Sequence, residues 1–466
     1  MLLESVTALY NLQTLKLENC HQLEALPKDM HHLIKLRHLI ISGNSLVEMP
    51  CQISKLRNLQ MLTTFVVGKD SGAKIKELAE LQSLHGELSI KKLENVVNIT
   101  KASDQMNVLE KKQLEKLRLG WSVDDVDDPK HGESVLEMLS PNTMLKQLEI
   151  FNYPSTKFPN WVGNDSFCNI AKVCLNECKH CSYLPPFGQL PLLKDLSISR
   201  CYSVVTVGAM FYGNCSGRKP FSSLETLRFR EMSSWKEWHS MQTEEATTYG
   251  KLKTLEIHGC PELIGDYPRL LPSLISIEIT GYKLCPLLSL PRLPCVTNTR
   301  INYLDNSESL YKAINPSNPT SPTPLCHYHS LQYLNLWYCG SSFRSLHMDL
   351  FPNLKTLRIV RSDYFETVSA SDGKSLEELT SFSIESCGNF VSFPNGGLIA
   401  PKLSNLRISG CPQLKWLPEK MTSLSSLETL IIDDCPSIEP FPEGEGGHLV
   451  SLSSLWISYD AVSRMK

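Results

Sequence analysis

The sequence lacks the features that mark membrane-spanning and secreted proteins. None of the apolar runs in its 466 residues approaches the roughly 20 residues of a membrane-spanning helix. The start, MLLESVTALYNL, has neither a basic segment nor a long apolar segment, so we predict no signal peptide. A formal net charge of −3 gives no general argument for binding nucleic acid or an anionic membrane. We therefore expect a cytoplasmic chain with no integral membrane segment and no nucleic-acid partner, a nuclear or membrane-peripheral pool being left open.

Motifs of catalysis and cofactor binding are also missing. The run GKDSGAK at 68–74 invites comparison with a phosphate-binding loop, but Ile75 stands where that motif needs Ser or Thr after its lysine. The sequence contains no G-x-S-x-G motif, no H-E-x-x-H motif and no nucleophile–base signature. We therefore predict a binding protein and not an enzyme, with no catalytic residue, no metal site and no cofactor of its own.

A recurring apolar pattern is what the sequence does contain. Three stretches, which start at Leu379, Leu403 and Leu427, repeat it at a spacing of 24 residues. In the middle stretch the pattern falls on Leu403, Leu406, Ile408, Cys411, Leu414 and Leu417. This spacing is the leucine-rich-repeat pattern, L-x-x-L-x-L-x-x-[NC]-x-L.

Each repeat predicts one short strand and one bend. Leu406 and Ile408 share one face of the strand, whereas Arg407 points to the other. A single repeat buries too little apolar surface to fold alone, so neighbouring repeats must stack and pair their strands. We therefore predict an α/β fold, a leucine-rich-repeat solenoid shaped as a curved horseshoe, with about 17 repeats and a concave parallel β-sheet.

The cysteines fit this pattern better than they fit a disulfide framework. Eight of the 16 occupy the bend position of successive repeats, where we expect buried, reduced thiols. They are Cys20, Cys178, Cys201, Cys260, Cys339, Cys387, Cys411 and Cys435. Cys168, Cys174, His180 and Cys181 lie near Cys178 and could suggest zinc. Because Cys174 falls on the opposite side of a strand from the bend position, we do not expect one tetrahedral site.

The regularity of the pattern also divides the chain. Residues 1–284 form an N-terminal repeat block and residues 331–466 a C-terminal one. Residues 285–330 are rich in Pro, Ser and Asn, and we expect an irregular insertion or joint there. Residues 2–11 resemble the tail of an earlier repeat and not a polar cap. We therefore expect the chain to be part of a longer protein or the product of a truncated reading frame.

Outward positions of the strands are the candidate binding residues. Arg, Tyr and Trp are enriched at binding hot spots, and several of these positions carry them. The predicted protein-binding residues of the concave face are Arg228, Arg230, Tyr333, Trp337, Arg358, Arg407 and Trp456.

Several stretches resemble one family more closely than the general repeat pattern requires. They include LYNLQTLKLENC at 9–20, FVVGKDSGAKIKEL at 65–78, LHGELSIKKLENV at 84–96 and LPPFGQLPLLKDLSI at 184–198. In order and spacing they resemble the repeat region of plant intracellular disease-resistance proteins of the coiled-coil nucleotide-binding leucine-rich-repeat type. The L-x-G-x-I-P signature of secreted plant repeat receptors is absent from the sequence.

The resemblance implies a partner and a role. In that family the repeats sense pathogen effectors, directly or through a guarded host protein, and restrain a nucleotide-binding switch domain. That domain would bring the ADP or ATP, and no part of this chain matches it. We expect a pathogen effector, a guarded host protein or the switch domain as the partner. The alternative is a substrate-receptor solenoid of a ubiquitin ligase, although no F-box bundle is visible in the sequence.

Overall fold

The structure is a computed structural model in which most of the chain is described. It describes residues 3–97, 107–122, 129–214, 217–239, 248–263, 268, 271–280, 295–304, 328–341, 343–371, 373–393, 398–418, 421–439 and 449–458. By their contacts these residues form two compact units. The first comprises Met1–Trp235 and Thr243–Thr248, and the second Lys236–Gln242 and Tyr249–Lys466.

The first unit is built from short parallel strands and few helices. Its strands are β1 (Thr14–Lys16), β2 (His38–Ile40), β3 (Met61–Leu62), β4 (Thr64–Val66), β5 (His85–Lys91), β6 (Gln113–Gly120), β7 (Gln147–Phe151), β8 (Lys172–Asn176), β9 (Asp195–Ser199), β10 (Thr206–Val207) and β11 (Thr226–Arg230). Strands β1–β2–β3 form one sheet, and β4–β5–β6–β7–β8–β9–β11 are consecutive neighbours in another. The α-helices are α1 (Ile75–Glu80), α2 (Pro129–Met138) and α3 (Ala209–Tyr212). Short 3-10 helices cover Glu4–Ala8, Met30–His32, Ile53–Lys55, Leu93–Asn95 and Phe187–Gln189.

The second unit repeats the same architecture. Its strands are β12 (Glu237–Trp238), β13 (Thr254–His258), β14 (Ser276–Thr280), β15 (Asn298–Leu304), β16 (Tyr333–Cys339), β17 (Ser345–His347), β18 (Thr356–Val360), β19 (Thr367–Ser369), β20 (Ser381–Glu385), β21 (Asn405–Ser409), β22 (Thr429–Asp433) and β23 (Ser454–Ile457). Nine of them lie side by side in the order β13–β14–β15–β16–β18–β20–β21–β22–β23. Strands β17 and β19 form a small separate sheet, and 3-10 helices cover Met348–Leu350 and Met421–Ser423.

Strand register follows the apolar pattern. Leu406 pairs in parallel with Phe382 and Leu430, and Ile408 pairs with Ile384 and Ile432. All six side chains are buried, whereas Arg407 is exposed between two of them. The predicted leucine-rich-repeat solenoid with one short parallel strand per repeat is therefore confirmed.

The bend after each strand has a feature that the pattern did not reveal. The residue just before the bend cysteine has a left-handed backbone, whether it is Gly259 (φ 61°), Ser386 (φ 54°), Gly410 (φ 60°) or Asp434 (φ 49°). The cysteine thiol then donates to the carbonyl oxygen two residues earlier, at 3.5 Å for Cys387. The cysteine thus supplies both apolar packing and a hydrogen bond to the backbone.

The expected burial of the bend cysteines is correct at seven positions and wrong at one. Cys178, Cys201, Cys260, Cys339, Cys387, Cys411 and Cys435 are buried, whereas Cys20 is exposed. Cys20 follows β1, which is the edge strand of its sheet and pairs with β2 alone, so one side of this turn is uncovered in the structure. All cysteines in the described part of the chain are free thiols.

Part of the segment expected to be irregular carries a strand. Residues 298–304 form β15, which pairs in parallel with β14 on one side and with β16 on the other. Val296 and Ile301 supply its buried apolar contacts. Residues 281–294 and 305–327, including the proline-rich run at 316–324, lie outside the described residues. The division into two blocks at 285–330 stays a prediction.

No described helix is long and apolar enough to cross a bilayer.

Candidate functional site: the outward face of the parallel strands

The candidate surface is the outward face, the side of each parallel sheet to which the residues between the buried positions point. In the second unit, parallel register aligns these residues in rows across the strands. The central row consists of Glu256, Glu278, Arg300, Asn335, Arg358, Ser383, Arg407, Ile431 and Trp456. Five of the predicted site residues lie in this row or two residues from it on the same strand: Tyr333, Trp337, Arg358, Arg407 and Trp456.

Two predicted arginines meet at one carboxylate, and a predicted tryptophan packs against one of them. Nε and Nη2 of Arg358 donate to the Glu385 carboxylate at 3.1 and 3.2 Å. Nε of Arg407 lies 3.7 Å from the same carboxylate. Arg358 also contacts Trp337: its guanidinium carbon is 5.0 Å from the centroid of the Trp337 ring, within the range of a cation–π contact. We name Trp337, Arg358, Glu385 and Arg407 the arginine cluster.

Glu385 is ionised in this arrangement. Burial acts to raise the pKa of its carboxyl, but hydrogen bonds from Ser383 and Arg358 and the charges of Arg358 and Arg407 outweigh it. The net result is a pKa below the usual value. Two cations around one ionised carboxylate leave the arginine cluster with one uncompensated positive charge.

Tyr333 and Trp456 are the two other aromatic residues predicted for the site in the second unit. Tyr333 begins β16 and is 42% exposed, and Trp456 on β23 is 64% exposed. Trp456 stands opposite Ile431 in the register of β22 and β23. Both rings therefore present apolar surface on the same face as the arginine cluster.

The predicted residues of the first unit lie on β11. Arg228 is half-buried, and its Nη1 donates to Asp195 on β9 at 2.8 Å. Asp195 also lies 3.4 Å from the ammonium of Lys172 on β8. Arg230 is exposed at the end of the same strand. On β6, Arg118 is paired with the buried Glu149 of β7.

The residues that sequence reasoning missed are the acidic partners. Glu385, Asp195 and Glu149 hold the arginines in place, yet none belongs to a residue type that marks a binding hot spot. One signal was present in the repeat alignment. Glu385 faces Val360 across neighbouring strands, which makes it a diagonal neighbour of Arg358.

The structure also accounts for two other candidate sites, the loop at 68–74 and the cysteine cluster near Cys178. The Lys74 ammonium donates to the carbonyl oxygens of Gly68 and Lys69, at 3.0 and 2.6 Å, so it is engaged within its own loop. The Cys181 thiol donates to the Ser155 carbonyl at 3.0 Å, and Cys174 lies on the outward face of β8. Within the described ranges, no three His, Cys, Asp or Glu residues are grouped to hold a metal ion.

Comparison with known proteins gives this surface a context. A family model described as R13L1/DRL21 leucine-rich repeats matches residues 75–201. A disease resistance RPP13-like protein 1 of Arabidopsis thaliana is 33% identical over 77% of this chain. The chain resembles the repeat region of plant disease-resistance proteins. Disease resistance protein RGA4 of Solanum bulbocastanum is 32% identical over 62% of the chain.

The disease-resistance relatives are much longer than the chain. It spans 30% of the length of the Arabidopsis protein and 29% of that of the Solanum protein. Among solved structures, the leucine-rich-repeat protein LIC12759 of Leptospira interrogans matches with a TM-score of 0.51 at 18% identity. The match covers 97% of this chain and 98% of that one, and it supports the fold alone.

Proposed function

We propose that this chain is the protein-recognition solenoid of a plant disease-resistance receptor. Its outward face binds a pathogen effector or a guarded host protein, or it holds the receptor's nucleotide-binding switch domain inactive. The role is non-catalytic, and ADP or ATP would enter only through the switch domain. We propose the cytoplasm as the compartment in which it acts.

The observation that carries the proposal is the arginine cluster on a continuous ladder of strands. Trp337, Arg358 and Arg407 come from β16, β18 and β21, which are held in fixed register by backbone hydrogen bonds. Residues held in place before docking lose little conformational entropy when a partner binds. Trp and Arg are also the side chains that contribute most per residue to protein interfaces.

The electrostatics of this surface favour a particular kind of partner surface. Glu385 compensates one of the two arginine charges, so a partner would need about one carboxylate to complete the balance. The Trp337 ring and the exposed rings of Tyr333 and Trp456 would take apolar side chains around that contact. A partner surface with one acidic group surrounded by apolar residues fits best.

The test is a triple variant, Trp337→Ala with Arg358→Ala and Arg407→Ala, in a full-length receptor that carries this chain as its repeat region. We expect normal accumulation and either loss of effector-dependent cell death or cell death without effector. Loss would indicate recognition, whereas constitutive activity would indicate a broken inhibitory contact.

A matched control removes the same kinds of side chain outside the nine-stranded sheet. Trp416→Ala with Arg344→Ala and Lys402→Ala also removes one tryptophan and two ion-paired cations. This variant should behave as the unmodified receptor does. If the first triple variant accumulates normally and also behaves like the unmodified receptor, the outward face of the second unit does not carry the function.

A further inference from the structure

A second, smaller site lies on the outward face of the first unit, at β5 and β6. A cleft of about 140 Å³ opens there, and its lining includes Ser89, Lys91, Lys116 and Arg118. Small-molecule pockets typically measure about 300 to 1,000 Å³. The cleft therefore has room for the end of one side chain rather than for a cofactor.

Two polar groups in this cleft lack partners. Among the residues that the structure describes, the Ser89 hydroxyl oxygen is buried without a hydrogen-bond partner. Lys91 is half-buried, and no hydrogen bond or ion pair of its ammonium occurs within the described ranges. Because Ser89 and Lys91 are two residues apart on β5, both point to the outward face, about 7 Å apart along the strand. Buried polar groups in proteins are nearly always satisfied, so the Ser89 hydroxyl calls for an explanation.

The neighbouring charges do not supply the missing partner. Arg118 stands directly opposite Ser89 on β6, but its guanidinium is bonded to Glu149 and lies 5.1 Å from the Phe151 ring on β7. Glu149 also lies 3.9 Å from the Lys116 ammonium. Glu149 lies beside the cleft, and the one carboxylate among the residues that line it belongs to Glu87, which is exposed. Among the described residues, the three cations Lys91, Lys116 and Arg118 face these two carboxylates, so one positive charge is not compensated.

The excess positive charge affects the pKa of Lys91. Burial, followed by repulsion from Arg118, lowers the pKa of its ammonium. An anion beside Lys91 would oppose both effects, because it would replace lost hydration and screen the guanidinium. A carboxylate oxygen could accept from the ammonium and the Ser89 hydroxyl together.

We propose that this cleft is a binding site for one carboxylate side chain, Asp or Glu, of a protein partner, held by Lys91 and Ser89. The proposal is independent of the arginine cluster, because Lys91 and Ser89 lie in the first unit. A polypeptide carboxylate is favoured over a free metabolite because the cleft is small and lies on an open strand ladder of the kind that docks protein surfaces.

Calorimetry with the full chain tests the site. The probe is a capped peptide of alternating Glu and Gly, and its Gln counterpart and inorganic phosphate serve as comparisons. We expect the Glu peptide to bind and the Gln peptide not to bind. Lys91→Met should weaken binding roughly tenfold or more, and Ser89→Ala should weaken it several-fold, as loss of hydrogen bonds to a charged group does. Lys76→Met, an exposed lysine of α1, should leave binding unchanged.

A second measurement needs no substituted protein, so it remains valid if a variant fails to fold. Lysines of the unmodified chain are labelled by reductive ¹³C-methylation, and the Lys91 resonance is titrated by NMR. Saturation with the Glu peptide should raise the pKa of Lys91. Absence of binding, affinity insensitive to both Lys91→Met and Ser89→Ala, an unmoved Lys91 pKa, or equal binding of inorganic phosphate would each overturn the proposal.

Discussion

Arg358 is held between Trp337 and Glu385, so one guanidinium joins an aromatic ring and a carboxylate from different repeats. The ring centroid is 5.0 Å from the guanidinium carbon, and the carboxylate accepts two hydrogen bonds from the same side chain. Such sharing fixes the orientation of a long side chain that would otherwise lose entropy on docking. It also makes the geometry of this surface depend on the protonation of Glu385.

Glu385→Gln should lower stability near neutral pH and have no effect in acid. The folded-state pKa of Glu385 lies below the usual glutamate value of 4.5. Its contribution is therefore complete above about pH 4.5 and is lost as the pH falls through the folded pKa. We expect a loss of about 1 kcal/mol at pH 7 for this partly exposed network. Thermal melts should show a gap in stability between the two proteins at pH 7 that closes as the pH falls below the folded-state pKa of Glu385. A gap that persists in acid would contradict the role of the charge.

Lys112→Met should stabilise the protein at neutral pH. Lys112 is only 1% exposed, and burial lowers the pKa of its ammonium from 10.5 to about 8. Below about pH 8 the folded protein carries the full cost of a buried charge. Stability then rises with pH between the two pKa values, because the unfolded chain binds the extra proton there.

The gain from Lys112→Met should be about 2 kcal/mol at pH 7, a value discounted for residual solvent screening. It should disappear above about pH 10.5, where the lysine is neutral in both states. Lys111→Met, at the exposed neighbouring position, is the matched control and should change the melting temperature little. Equal effects of the two substitutions would show that Lys112 is not buried as described.

Ser386→Gly and Gly410→Ala should have opposite effects at equivalent bends. Ser386 has a φ of 54°, and a left-handed backbone costs a residue with a Cβ roughly 1 kcal/mol, which glycine avoids. Gly410 has a φ of 60°, and an added Cβ would lie 3.2 Å from the Cα of Ser386. We expect a gain of up to about 1 kcal/mol for the first substitution and a loss of at least that size for the second. Chemical denaturation in parallel would compare them, and a stabilising Gly410→Ala would refute the assigned bend geometry.

Leu406→Arg and Arg407→Ala test the two faces of one strand. Leu406 is 1% exposed and Arg407 is exposed. An arginine at position 406 would bury a charge without a partner, so we expect a loss of more than about 3 kcal/mol and unfolding of at least the adjacent repeats. Arg407→Ala should cost less than about 1 kcal/mol. Circular dichroism melts that ranked the two variants in the opposite order would invalidate the register.

The sequence predicts the fold well because a repeat is a local pattern. The spacing of Leu406, Ile408 and Cys411 within a single repeat is enough to define a strand and a bend. The same spacing assigned Arg358 and Arg407 to the outward face, and both lie there. Strand β15 was missed because the run around Ile301 carries few of the leucines that define the pattern, although backbone pairing with both neighbours still forms.

Relations between repeats were harder to predict. Glu385 meets Arg358 through a diagonal neighbour on the next strand, so the pair becomes visible only after two repeats are aligned in register. Within the described residues, the Ser89 hydroxyl has no partner because the Arg118 side chain opposite it is bonded to Glu149 and lies over Phe151 on β7. No property of the β5 sequence alone carries this information.

The buried bend cysteines can also serve as natural probes of local opening in individual repeats. Each of the seven buried bend thiols belongs to a different turn. Burial raises the pKa of the Cys387 thiol to about 12, which suppresses its thiolate. A thiol reagent should therefore modify Cys20, Cys51, Cys168 and Cys295 at once, because these are exposed. Every later modification of a bend cysteine would time the opening of its own repeat. Mass spectrometry of the labelled peptides could then rank the local stability of the turns along the chain without a single introduced label.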